Sequence, residues 1–139
     1  MTVPASSDTL GQSSDTAVVQ VSRSVSKPVK EVWKLLVTRE GAEALLGPGG
    51  ELGDKGDGWR ANDGTFGVIR SYHPLEEIRF SWHVADDAPK TMVEVKLVKA
   101  SEAETTVEVT HDRIPSYYDT AKLTRRWESA LDKLSSAAD

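Results

Sequence analysis

Cysteine is missing from the 139 residues. That removes disulfides, thiolate nucleophiles and cysteine-ligated zinc from consideration. Positive charge is in the minority: 17 Lys and Arg stand against 22 Asp and Glu, a formal net charge of −5, which disfavours nucleic acid or an anionic membrane as partner. Long apolar runs are lacking, so no stretch reads as a membrane span. Near Met1 there is no basic segment followed by an apolar one, hence no signal peptide is expected and the expected compartment is the cytoplasm. Aromatics amount to 6%, with four Trp beside two Phe and three Tyr. Where those four sit therefore decides where a large apolar wall can form.

Hydrophobic residues make up 38% of the chain, enough at this length for one domain with its own core. Residues 1–15 are polar and without periodicity, so a disordered tail is expected there, with one domain over residues 16–139. The stretch from Asp119 to Ser136 dominates that domain. Leu123, Trp127, Ala130, Leu131 and Leu134 form one apolar stripe at helical spacing, and Asp119 or Ser116 can cap its start. A helix of roughly 27 Å follows from 1.5 Å per residue, long enough to cross a small sheet.

Ahead of it the period changes twice. Ala17 to Val25 alternates, with Val19, Val21 and Arg23 on one side, as in a strand. Pro28 marks a helix start, and Val29, Val32, Trp33, Leu36 and Val37 form its stripe. A second short helix is expected over Arg39 to Leu46, ended by Gly47-Pro48-Gly49-Gly50. From Trp59 onward the period is two. Trp59 to Asn62 and Thr65 to Tyr72 are expected to form a hairpin about a two-residue Asp63-Gly64 turn. Ile78, Phe80, Trp82 and Val84 alternate with Arg79, Ser81 and His83; Val93, Val95 and Leu97 give another strand, and Val107 and Val109 a last one ended by Pro115. His83, opposite in parity to Trp82, is expected to be exposed. Each strand has one apolar face, so a single cover suffices. The expected class is α+β: a curved antiparallel sheet gripping the long C-terminal helix, with two short helices after the first strand.

Motifs with their own chemistry are missing. There is no His pair at metal-binding helical spacing, no G-x-S-x-G elbow and no phosphate loop, so neither a catalytic set, a metal site nor a cofactor is expected. Asp54, Asp57 and Asp63 do not follow calcium-loop spacing and read as turn residues. His111 continues the inward parity of Val107 and Val109, where an imidazole can serve as acid, base or hydrogen-bond donor, or simply be a satisfied core residue. Arg125-Arg126 reads as solvated helix surface, the alternative being a grip on an acidic ligand group.

Taken in order, Val32-Trp33-Lys34-Leu35-Leu36, Gly47-Pro48, Phe66-Gly67-Val68-Ile69, the run from Tyr72 to Trp82, Thr106 with His111, and Trp127 with Leu131 and Leu134 resemble the SRPBCC (START-like, helix-grip) superfamily, in the Aha-type branch named for activators of a heat-shock chaperone ATPase. The resemblance spans Val18 to Ser136. Two positions depart from it: Leu45 stands where Trp is frequent, and Arg126 where Gly is frequent. The resemblance implies a cavity between sheet and C-terminal helix, used elsewhere for lipids, sterols or polyketide-like molecules. Its expected lining is Trp33, Trp59, Phe66, Phe80, Trp82, Val95, Val109, His111, Leu123 and Trp127. Three functions follow as expectations: non-catalytic binding of a small hydrophobic molecule by a monomer, a cyclase- or hydratase-like enzyme using the same cavity, and a co-chaperone-like interaction module. The chaperone activators carry an additional N-terminal domain, for which no stretch here is suited, so a chaperone partner ranks below a small hydrophobic ligand.

Overall fold

A computed structural model describes residues 16–138; the tail expected over residues 1–15 lies outside the described residues. Strand β1 (Thr16–Val25) leads into helices α1 (Val29–Leu36) and α2 (Arg39–Leu46). Strands β2 (Gly58–Arg60), β3 (Phe66–His73), β4 (Glu77–Trp82), β5 (Thr91–Ser101) and β6 (Glu104–Pro115) follow, and helix α3 (Thr120–Ala138) closes the chain. The sheet runs β1-β6-β5-β4-β3-β2 and is antiparallel throughout. This is the expected α+β helix-grip architecture.

Register shows how alternation becomes a core. Val19, His111, Val93, Phe80 and Ile69 are successive cross-strand partners, forming one row across five strands. Val21, Val109, Val95 and Ile78 form the next row. All of these are buried. Outward positions such as Gln20, Glu108, Lys96 and Arg79 are polar, and the two-residue period keeps the faces apart. Helix α3 covers the apolar rows with Leu123, Trp127, Ala130, Leu131 and Leu134, all buried, as the stripe requires. Asp119 accepts a hydrogen bond from the Lys122 amide at 3.1 Å and so caps the helix. Arg23, which shares the inward parity of Val21, reaches past the core to pair with Asp132 of α3.

The short helices begin and end where the local chemistry dictates. Pro28, extended at φ −67° and ψ 157°, precedes α1. The Thr38 hydroxyl accepts from the Gly41 amide at 3.2 Å at the start of α2, and Gly47 at φ +111° ends it. Five residues separate β2 from β3, and because Ala61 and Thr65 pair, the turn proper is three residues, Asn62-Asp63-Gly64, rather than two. Ala61 N–H bonds Thr65 C=O at 2.9 Å across it, Gly64 takes φ +95°, and Asp63 Oδ1 accepts from the Thr65 amide at 3.0 Å. Asp57 likewise accepts the Asp54 amide at 2.8 Å, so both act as turn residues.

Candidate functional site

The polar centre of the molecule is built on His111. Strand β6 places it in the inner-face row of Val19, Val93, Phe80 and Ile69, α3 drops Trp127 onto it, and the β4–β5 register sets Thr91 opposite Trp82. Trp127 Nε1 lies 3.0 Å from His111 Nδ1, His111 Nε2 is 2.7 Å from Thr91 Oγ1, and the Thr91 hydroxyl is 2.6 Å from the Trp82 carbonyl. Donor chemistry fixes every direction. An indole N–H only donates, so His111 Nδ1 accepts and carries no proton. The Thr91 hydroxyl donates to the Trp82 carbonyl, so it accepts from His111 Nε2–H. The imidazole is therefore the neutral Nε2–H tautomer with both nitrogens occupied. Burial, reinforced by the charge of Arg126, pushes its pKa down from 6.5 to about 4. No lone pair or proton of His111 is free for a substrate, and the ring serves as core structure, neither acid nor base nor ligand handle.

Large rings fill the space around it. His111 meets Trp82 edge-on at 4.9 Å and Trp127 at 5.7 Å between ring centroids. Phe80, Val95 and Val109 are fully buried, and Trp82 is 1% exposed. Trp59 stands edge-on to Phe80 and donates its indole N–H to the Ser81 carbonyl at 3.2 Å. Trp33 packs edge-on against Tyr72, which pairs with Ile78 and so lies at the far end of β4 from Trp82. Phe66 is a correction: it lies on the outer face, stacked flat on His83 at 4.5 Å with the Arg60 guanidinium on its ring. His83, expected in solvent, is half-buried by that stack, and its Nδ1 is 3.0 Å from the Ala88 carbonyl.

Open space lies at the rim. A pocket of about 320 Å³ opens where β4 ends and α3 begins, lined by Trp82, Val84, Tyr118, Asp119, Lys122, Leu123 and Arg126. Of the expected lining it takes Trp82 and Leu123; the other core aromatics are packed behind them. The indole N–H of Trp82 is buried and has no hydrogen-bond partner among the described residues. Tyr118 shifts upward from the usual phenol range through burial and the neighbouring Tyr117. A wider groove of about 610 Å³ runs between α2 and α3, where Glu40, Glu43, Asp132 and Lys133 stand among Ala44, Pro48 and Ala137.

Arg126 is the second correction. Arg125 is exposed as expected, whereas Arg126 turns inward, its guanidinium 5.3 Å from the Trp82 ring centre and 5.8 Å from that of Trp127. Its Nη1 donates to Asp63 Oδ2 at 3.1 Å and its Nη2 to the Leu46 carbonyl at 3.4 Å. Burial alone would raise the Asp63 pKa; hydrogen bonds from the Thr65 side chain and amide, then from Arg126, outweigh it and leave the carboxyl below its ordinary range. Tyr118 and Lys122 escaped the sequence reading as site residues, whereas Arg126 entered it only as the alternative grip on an acidic ligand group. Tyr118 and Lys122 flank the helix start, the signal that could have found them. No group of three or more His, Asp or Glu among the described residues is placed to hold a metal ion, and no described helix is long and apolar enough to cross a membrane.

Comparison with known proteins places this geometry in a family. No curated protein matches the sequence. Among solved structures, DynU16, from the dynemicin biosynthetic locus, superposes with a TM-score of 0.71 at 26% identity, covering 89% of this chain and 47% of its own. The chain thus spans about half the length of DynU16. CalU16 from Micromonospora echinospora gives a TM-score of 0.71 at 22% identity over 92% of this chain and 87% of that one. PFC0360w, an HSP90 activator from Plasmodium falciparum, gives 0.72 at 14% identity over 86% and 94%. Residues 26–139 match the family described as Activator of Hsp90 ATPase homolog 1-like protein, and the chain belongs to that family.

Proposed function

We propose that the rim pocket binds a small, mainly apolar molecule without transforming it, and that the ligand presents an oxygen acceptor to Trp82. The observation that carries this is Trp82, whose buried indole N–H has no partner among the described residues, bordering a pocket with Val84, Tyr118 and Leu123 on its apolar side and Asp119, Lys122 and Arg126 as its charged groups. An orphaned buried donor costs about 1–3 kcal/mol, and a ligand acceptor removes that penalty. The volume of about 320 Å³ lies within the range of small-molecule sites. Lys122 has no carboxylate partner among the described residues, which suits a ligand with an acidic end. DynU16, whose locus makes dynemicin, adds weight to a small-molecule ligand. The cyclase-like alternative loses its main candidate, since both His111 nitrogens are occupied.

Decanoate tests the reading. In an NMR titration, saturable shifts are expected at Trp82, Tyr118 and Leu123, and Trp82→Phe, which keeps the ring and loses the donor, should weaken binding by about 1–3 kcal/mol. Absence of binding across decanoate and a broad hydrophobic library, or shifts confined to the outer sheet face, refutes it. A second reading uses the same rim for protein docking: Tyr117 is 77% and Val84 44% exposed, and the family description names Hsp90 ATPase activation. Stimulation of an Hsp90 ATPase that is lost in Tyr117→Ala, with no ligand binding, would select it.

A further inference from the structure

Arg126 borders two spaces at once. On one side is the rim pocket of about 320 Å³; on the other is a smaller one of about 170 Å³, lined by Leu45, Pro48, Asp63 and Ala130 among others. We infer that Arg126 is a removable partition that divides one cleft along α3 and sets the length of ligand the protein accepts. The guanidinium fills the gap by lying against Trp82 and Trp127, and it stays there because Asp63 Oδ2 and the Leu46 carbonyl take its N–H groups. Those restraints are weak. The Arg126–Asp63 pair is 29% and 38% exposed, and an ion pair so open to solvent contributes little net stability. The long, flexible side chain can swing outward while its charge remains hydrated. With Arg126 displaced, the apolar faces of Trp82 and Leu45 line one continuous cleft. With it in place, a ligand is confined to the rim. The length consequence rests on the ligand-binding reading above; the partition itself does not.

Two measurements separate the two claims. The first needs no ligand: indole N–H exchange followed by NMR in the wild type, Arg126→Ala and Asp63→Asn. Alanine keeps the helix, and asparagine keeps the Oδ1 acceptor for Thr65 while losing the charge that holds Arg126. Exchange at Trp82 should accelerate on the order of tenfold in both variants, while Trp33, remote beside Tyr72, stays unchanged. Unaltered Trp82 exchange in both variants overturns the partition. The second compares decanoate with oleate. The wild type should prefer decanoate, and Arg126→Ala should gain on the order of tenfold for oleate, because the extra methylenes become buried. Equal oleate affinity in wild type and Arg126→Ala, with decanoate still bound, overturns the length selection. If neither fatty acid binds any form while Trp82 exchange accelerates, the ligand-binding reading fails and the partition stands.

Discussion

Acidification should reveal His111 as a built-in pH liability. In the folded protein its pKa is about 4, against 6.5 when free of the fold. A base whose folded pKa is depressed binds fewer protons folded than unfolded between those two values. Stability therefore falls as pH drops through that window and is fully retained above the upper value. The linkage relation gives a loss of about 2 kcal/mol between pH 7 and pH 5, and about 3 kcal/mol by pH 4. The structural cause is that protonating Nδ1 removes the acceptor for the Trp127 indole and places a cation in a fully buried site beside Arg126. The assay is urea unfolding at several pH values, comparing wild type with His111→Phe. The variant leaves the Trp127 indole N–H without an acceptor, which lowers stability at every pH by about 1–3 kcal/mol, while the Thr91 hydroxyl keeps its bond to the Trp82 carbonyl; but it cannot titrate. Carboxylates such as Asp63 and Glu94 contribute to both proteins and cancel in the difference. The wild-type advantage should thus shrink by about 2 kcal/mol from pH 7 to pH 5. A constant advantage, or a His111 NMR titration near 6.5, would refute the neutral-tautomer assignment.

Two further substitutions probe the frame of the site. Trp127→Ala removes a fully buried ring and the donor to His111, and chemical denaturation should show a loss of about 3–5 kcal/mol; a loss under about 1 kcal/mol would mean that α3 is not seated as described. Gly67→Ala should lower stability by about 3 kcal/mol, at the upper end of overpacking, because a Cβ there would come 1.8 Å from the Ser81 carbonyl oxygen and 2.8 Å from Trp59 Nε1. Gly64→Ala, with open space around the added atom and φ +95°, should lose only the left-handed backbone penalty of about 1–2 kcal/mol, and thermal melts of the pair check the contrast.

The sequence was most readable where one period governs a whole element. Leu123, Trp127 and Leu134 follow a single helical stripe, and Val107, Val109 and His111 a single strand parity, so their burial could be read before any coordinates. Phe66 failed for a physical reason. In Phe66-Gly67-Val68-Ile69 the inward position before Ile69 is Gly67, which has no side chain to mark its face, while Phe66 and Val68 are apolar on the outer face. The alternation that identifies an inner surface is absent there. Thr91 as a partner of His111 escaped for another reason: it reaches the ring only through the β5–β6 register, and a polar residue shortly after Pro89 carries no signal of that pairing. Arg126 reads as polar helix surface because the group that turns it inward, Asp63, lies in a loop distant in sequence.

The packed centre and the open rim follow from one constraint. The chain Trp127–His111–Thr91–Trp82 uses every donor it contains except the Trp82 indole, and each member is held by the next. Enlarging the interior would mean shortening one of these side chains, which strands a buried polar group and empties a ring-sized volume together. Val84, Tyr118, Lys122 and Arg126 belong to no such chain and are part of the wetted rim, where substitutions change shape and charge at little loss of stability. On the proposed ligand-binding reading, selectivity is therefore free to vary at the mouth while the histidine centre stays fixed. Besides Trp82, they are connected through Arg126, whose guanidinium lies on Trp82 and Trp127 and whose charge helps keep His111 neutral. A ligand that displaces Arg126 should raise the His111 pKa, because the repelling charge moves away. An NMR titration of His111 with and without bound oleate in Asp63→Asn would show that rise, and an unchanged pKa would mean that rim and centre are electrostatically independent.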